Sequence, residues 1–183
     1  MSATRPVLLT GFGPFLDVGD NPSARLVRAL DGLEAGPWRL EGRVLDVSYG
    51  RLLAQVLEWC TELEPAWVLG FGVSRSGVLR VESRGVAEVV DIADVEGFRP
   101  TRLDGPPEVW ATLDVGSLAE LFNCPVSEDA GQYVCNAWLH QVCQHAPCPS
   151  AFVHIPAAGI SAERAHRAIS LFRPGQWAPN AIG

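Results

Sequence analysis

The chain has 183 residues, enough for one globular domain with a sizeable core. It is 48% hydrophobic and 19% charged, which excludes a disordered chain. A net charge of −7 with no Lys/Arg-rich run argues against nucleic acid or an anionic membrane as partner, and no apolar run is long enough to span a bilayer.

The opening stretch MSATRPVLLTGFGPF has an apolar centre of only a few residues before its glycines, so it reads as a first strand rather than a signal peptide. Pro6–Thr10 forms that strand, closed by Gly11 and Gly13. Gly11-Phe12-Gly13 starts like a dinucleotide fingerprint, but the third glycine would stand at Leu16 and the next helix starts too late. Asn21-Pro22-Ser23 opens that helix. Asparagine caps it, proline suits the first helical position, and Leu26, Val27 and Leu30 give it an apolar face.

A second strand is expected over 39–48. An amphipathic helix follows over 50–63, with Leu52, Leu53, Val56, Leu57 and Cys60 on one side. Ala66–Phe71 is a buried strand ending in Gly70-Phe71-Gly72. The segment from Gly72 to Gly77 lacks the second glycine of a serine-nucleophile elbow, because position 76 is serine. Residues 78–90 alternate, Leu79 and Val81 against Arg80, Glu82 and Arg84, which predicts a strand with one wet face. Residues 91–110, rich in Asp, Gly and Pro, read as irregular. A short helix near 116–122, a helix over about 133–145, the strand Ala151–Ile155 and a helix over about 161–172 complete the chain. Strand and helix alternate with no repeat or linker between them. That pattern predicts a single domain over residues 1–183, an α/β sandwich with a mainly parallel sheet. In such sheets, sites gather beyond the carboxyl ends of the strands.

The five cysteines (60, 124, 135, 143 and 148) are odd in number and irregularly spaced, which points to free thiols in a reducing, cytoplasmic setting. Cys143, His145 and Cys148 have no regular ligand spacing and no evident fourth partner, so no metal site is expected. Cys135 differs by position. It falls in the first turn of the helix over 133–145, where backbone N–H groups and the helix dipole favour a thiolate and can hold an oxyanion. It also shares a stripe with Leu139 and Val142, and position alone favours packing over chemistry. His154 ends the strand that follows, so a thiol–imidazole pair is sterically plausible. For a third member, Glu82, Glu88, Asp91, Asp94 and Asp129 all qualify.

The segments LLTGFGPF with NPS, GVSRSGVLRVE, SEDAGQYVCN and SAFVHIP, in that order, resemble the pyroglutamyl peptidase I (pyrrolidone-carboxylate peptidase) family. The resemblance implies a three-layer α/β/α sandwich with a mixed, mainly parallel, twisted sheet. It also implies a cysteine peptidase that removes an N-terminal pyroglutamyl residue from small peptides, without metal or organic cofactor. Carried over by motif, Cys135 is the nucleophile, His154 the acid/base and Glu82 the partner of the histidine. Phe12, Phe15 and Tyr133 form the aromatic pocket. The chemistry fits: the pyroglutamyl ring is small, flat and neutral, and asks for aromatic walls rather than a charged anchor. The chain departs from the family pattern at Ala87, over Asp91–Gly97 and in AAGISAE after Pro156. A family-like binding protein with poor turnover, and a cysteine amidohydrolase for a different small acyl group, fit the same residues. Apolar residues within 91–122 leave room for a homo-oligomer.

Overall fold

Strand β1 (Arg5–Phe12) has both faces covered. Val7 and Leu9 enter one apolar cluster, while Leu8 and Phe12 enter another. A strand buried on both sides needs helices on both sides, and this fixes the layering. The computed structural model describes residues 4–15, 19–74 and 76–175, so Leu16 and Arg75 of the motifs above lie outside the described residues.

In chain order the elements after β1 are α1 (Pro22–Leu30), β2 (Glu34–Ala35), β3 (Trp38–Leu45), α2 (Leu52–Leu63), β4 (Val68–Val73), β5 (Arg80–Glu82), β6 (Arg84–Val86) and β7 (Glu108–Trp110). They continue with α3 (Val115–Phe122), β8 (Val126–Ser127), α4 (Val134–His145), β9 (Ser150–Ile155) and α5 (Ala162–Leu171). The main sheet runs β2-β3-β1-β4-β9-β5-β8. Strands β3, β1, β4 and β9 are parallel, β5 runs antiparallel to β9, and β8 pairs parallel with β5. Helices α1, α3 and α5 close one face and α2 and α4 the other, so the expected mixed, mainly parallel three-layer sandwich is present.

The N-terminal motif works through contacts. Asn21 caps α1 by accepting from the Ser23 N–H at 3.0 Å and donates to the Gly13 carbonyl at 3.1 Å. Ser23 Oγ accepts from the Phe12 N–H at 3.0 Å. A Cβ on Gly11 would stand 2.4 Å from the Ser23 carbonyl oxygen, so the glycine lets α1 lie directly on the end of β1.

Three expectations need correction. The strand expected over 39–48 ends at Leu45, because Val47 and Tyr49 are drawn away to another loop: the Val47 carbonyl accepts from Val95 and the Tyr49 N–H donates to Asp94. The strand expected over 78–90 is two strands in two sheets. At Ser83 the chain turns aside, with its N–H bonded to the Ser127 carbonyl, and β6 pairs with β7 instead. The expected wet face is wet only in part, since Glu82 is wholly buried while Arg80 and Arg84 are half-buried. Finally, 91–110 contains β7, which like β2 and β8 is too short to carry a legible period.

Gly11→Ala is expected to lower stability by about 1–3 kcal/mol, the usual consequence of overpacking against backbone. Thermal unfolding followed by circular dichroism measures it, and an unchanged Tm would mean that the α1–β1 contact yields freely.

Candidate active site

The carboxyl ends of β4 and β9 bring Gly72 and His154 side by side, since those residues are paired in the parallel ladder. The antiparallel pairing of β5 with β9 sets Glu82 opposite Phe152, one step from the histidine. His154 Nδ1–H donates to Glu82 Oε1 at 2.7 Å, and both side chains are buried. Bonding at Nδ1 fixes the tautomer and leaves Nε2 of the neutral ring as an acceptor. Phe152 stacks edge-on against the imidazole at 5.2 Å, holding its plane.

Cys135 is the second residue of α4. The helix begins after Tyr133, which is extended and provides no side-chain cap, so among the described residues no side chain bonds the first-turn amides. Asn136 anchors this end. Its Oδ1 accepts from the Val86 N–H and its Nδ2 donates to the Val86 carbonyl, both at 2.8 Å, as a neighbouring strand would. A Cβ on Gly72 would stand 2.6 Å from Cys135 Sγ, so the bare glycine makes the space that the sulfur occupies beside His154. Burial pushes the His154 pKa down, but Cys135 and Glu82 both reach the ring and outweigh it, leaving the pKa up at about 9. By contrast, burial pushes the Cys124 thiol up and the Cys143 thiol up to about 12, which keeps both protonated and unreactive at neutral pH.

A family profile described as pyroglutamyl peptidase matches residues 5–167. The chain belongs to this family. The pyrrolidone-carboxylate peptidase of Cupriavidus taiwanensis is 34% identical over 82% of this chain and 77% of that protein. That of Halalkalibacterium halodurans is 29% identical over 87% and 88%. Among solved structures, pyroglutamyl peptidase I from Bacillus amyloliquefaciens superposes with a TM-score of 0.78 at 25% identity, covering 91% of this chain and 93% of that one. The pyrrolidone carboxyl peptidase of Thermococcus litoralis shares the fold, with a TM-score of 0.79 at 24% identity over 92% and 91%. Membership makes the chain a hydrolase of the cysteine-peptidase class.

The other carboxylates considered for the third position lie elsewhere. Asp91 is exposed beside Arg99, Glu88 is exposed with its backbone in an isolated antiparallel β-bridge to Arg102, and Asp129 accepts from the Gly131 N–H. Asp94 is a knot: it accepts from the N–H groups of Glu96 and Phe98 on Oδ1 and of Tyr49 on Oδ2, each at 2.9 Å. Phe15 and Tyr133 stack at 5.7 Å, and the Tyr133 hydroxyl donates to the Ala93 carbonyl at 2.9 Å. Phe12 lies deeper, 4% exposed and 6.4 Å from the Phe152 ring, in the same apolar cluster that Phe15, Tyr133 and Cys135 adjoin.

Two residues of this site were missed in the sequence. Tyr49 meets Tyr133 edge-on at 5.7 Å, and its hydroxyl is buried without a hydrogen-bond partner among the described residues. Burial chiefly raises its pKa, helped by Tyr133, Asp94 and Cys135. Its position just past the carboxyl end of β3 is the signal that could have found it. Asn136 was visible as part of the family motif, but its pairing with β6 has no signature in spacing.

Gly72→Ala is expected to displace the Cys135 sulfur. Alkylation of Cys135 by iodoacetamide should slow by at least about tenfold in a variant that remains folded, since overpacking must be relieved by movement. An unaltered alkylation rate would mean that the space beside Gly72 does not hold the thiol.

Proposed function

We propose that this protein removes an N-terminal pyroglutamyl residue from small peptides through a thioester on Cys135, with His154 as acid and base and Glu82 as its orienting partner. The observation that carries this reading is the buried His154–Glu82 hydrogen bond beside a thiol at a helix start, in a chain of the pyroglutamyl peptidase family. Cys135 as thiolate attacks the pyroglutamyl carbonyl. The developing oxyanion faces first-turn amides of α4, an interaction typically worth about 10²–10³ in rate per donor. Imidazolium His154 gives its proton to the departing amine, breaking the peptide bond and leaving the acyl group on sulfur. Neutral His154 then takes a proton from water, the hydroxide adds to the thioester, and pyroglutamate leaves as the thiol is restored.

Phe15 and Tyr133, with Phe12 behind them, would take the flat lactam ring. The reading has the chain working as one domain over residues 1–183, in the cytoplasm, and as a homo-oligomer if the exposed Val95, Phe98 and Trp110 are covered. No helix among the described residues is long and apolar enough to cross a membrane.

Hydrolysis of a fluorogenic pyroglutamyl amide is expected from the wild-type protein and is expected to vanish in Cys135→Ser. A folded wild type without this activity sinks the proposal. Glu82→Gln should lower kcat by about 10²-fold or more while KM changes little, since the acid–base term is commonly worth about 10²–10⁴; an unchanged kcat would remove Glu82 from the role.

His154 supplies the acid, so kcat/KM should fall as pH rises through about 9. The same raised value links to stability. Its contribution is complete below the unfolded pKa of about 6.5 and is lost as pH rises through about 9. Tm measured from pH 6 to 10 reads this directly, and a flat profile would contradict the charged pairing of His154.

A further inference from the structure

Arg80 takes no part in the reaction above, yet it touches three pieces of the site. Residues two apart on a strand share a face, so Arg80 and Glu82 stand side by side on β5, and the antiparallel register sets Arg80 directly across from His154. Two cations facing each other across a strand pair repel. Here the Glu82 carboxylate lies between them. Its Oε1 accepts from both His154 Nδ1 and Arg80 Nε, while Oε2 is buried without a partner among the described residues.

The other two guanidinium nitrogens are engaged as well. Nη1 donates to Ser76 Oγ at 3.2 Å and Nη2 to the Asp129 carbonyl at 3.1 Å. Ser76 lies in the connection that leaves β4 beyond Gly72, where its hydroxyl bonds Ser74 at 2.7 Å. Asp129 lies in the turn that leads into α4 and Cys135. An ordinary surface ion pair is exposed on both sides and largely screened. This one joins an arginine 23% exposed to a carboxylate with no exposure at all.

We infer that Arg80 is a positioning residue that shares Glu82 Oε1 with His154, limits how much of the carboxylate's charge the imidazole receives, and ties both to the turn before Cys135. The inference rests on the roles given above to Cys135, His154 and Glu82. The charged groups facing His154 among the described residues are Cys135 from α4 and Glu82 and Arg80 from β5, while β4 presents Gly72. Removing Arg80 takes a cation away from the imidazolium and leaves the carboxylate to His154 alone. Both changes favour the protonated ring, so its titration moves up.

The test compares wild type, Arg80→Gln and Arg80→Lys. In a Cys135→Ser background, NMR titration of the His154 imidazole needs no turnover. Arg80→Gln is expected to raise the midpoint by roughly half to one pH unit. Arg80→Lys should raise it less, because an ammonium restores the charge without the fork. With Cys135 present, the alkaline limb of kcat/KM should move up equally, and kcat at neutral pH should fall about tenfold with KM changing less than about threefold. A brace with a purely structural role would lower Tm and move neither titration. An unmoved or lowered midpoint in folded Arg80→Gln overturns the inference. If that variant fails to fold, Arg80→Lys decides: a wild-type midpoint together with a wild-type kcat overturns it. Absence of pyroglutamyl amide hydrolysis by wild type would sink the assigned activity, while the NMR comparison would still decide the role of Arg80.

Discussion

A carboxylate with no solvent exposure constrains everything built around it. Glu82 is wholly buried, and an unpaired ion in that position would be strongly destabilising. Its partners come from the strand alongside and from two residues earlier on its own strand, which makes the antiparallel insertion of β5 beside β9 a requirement. A parallel β5 would run in the opposite direction along β9 and lose this register. The antiparallel junction of β5 with β9, one of two in the sheet beside that of β2 with β3, is therefore where the sheet acquires its polar centre.

Around that pair the apolar framework serves placement. Phe152 sits between Trp138 and His154, each ring 5.2 Å away, so the histidine is backed by the core of the α4 face. Asn136 fastens the start of α4 to β6 through two bonds from its side chain to the Val86 backbone, and Gly72 yields the volume into which the sulfur projects. Cys135 is positioned by three elements distant in sequence, none of which needs to be reactive itself. Interiors packed at crystal-like density transmit such placement with little slack.

Much of this was legible in the sequence because long elements carry a period. β1, α1, α2, α4, β9 and α5 were expected close to their observed positions, and Cys135 and His154 lie at a helix start and a strand end as expected, while their roles came from the family resemblance. Glu82 was not singled out by pattern. Its strand is only three residues long, and alternation with Val81 looks the same whether the polar face meets water or a buried imidazole. Burial there is imposed by β9, β8 and the turn at Asp129, all from later in the chain. The stretch 91–110 misled for a related reason: its order comes from a side chain, Asp94, acting on backbone amides, and that leaves no period to read.

The Asp94 knot also bears on how the loop beside Tyr133 is fastened. Three amides converge on one side chain, and the Tyr133 hydroxyl holds the Ala93 carbonyl just before it. The fastening is therefore local, like a rivet rather than a seam. The stretch before it is tied separately, since the Val90 N–H donates to the Gln132 carbonyl at 2.8 Å, next to Tyr133. Ala93 and Asp94 thus reach Tyr133 and Tyr49 by separate bonds, and the edge-on pair of rings is held from the loop side at two points.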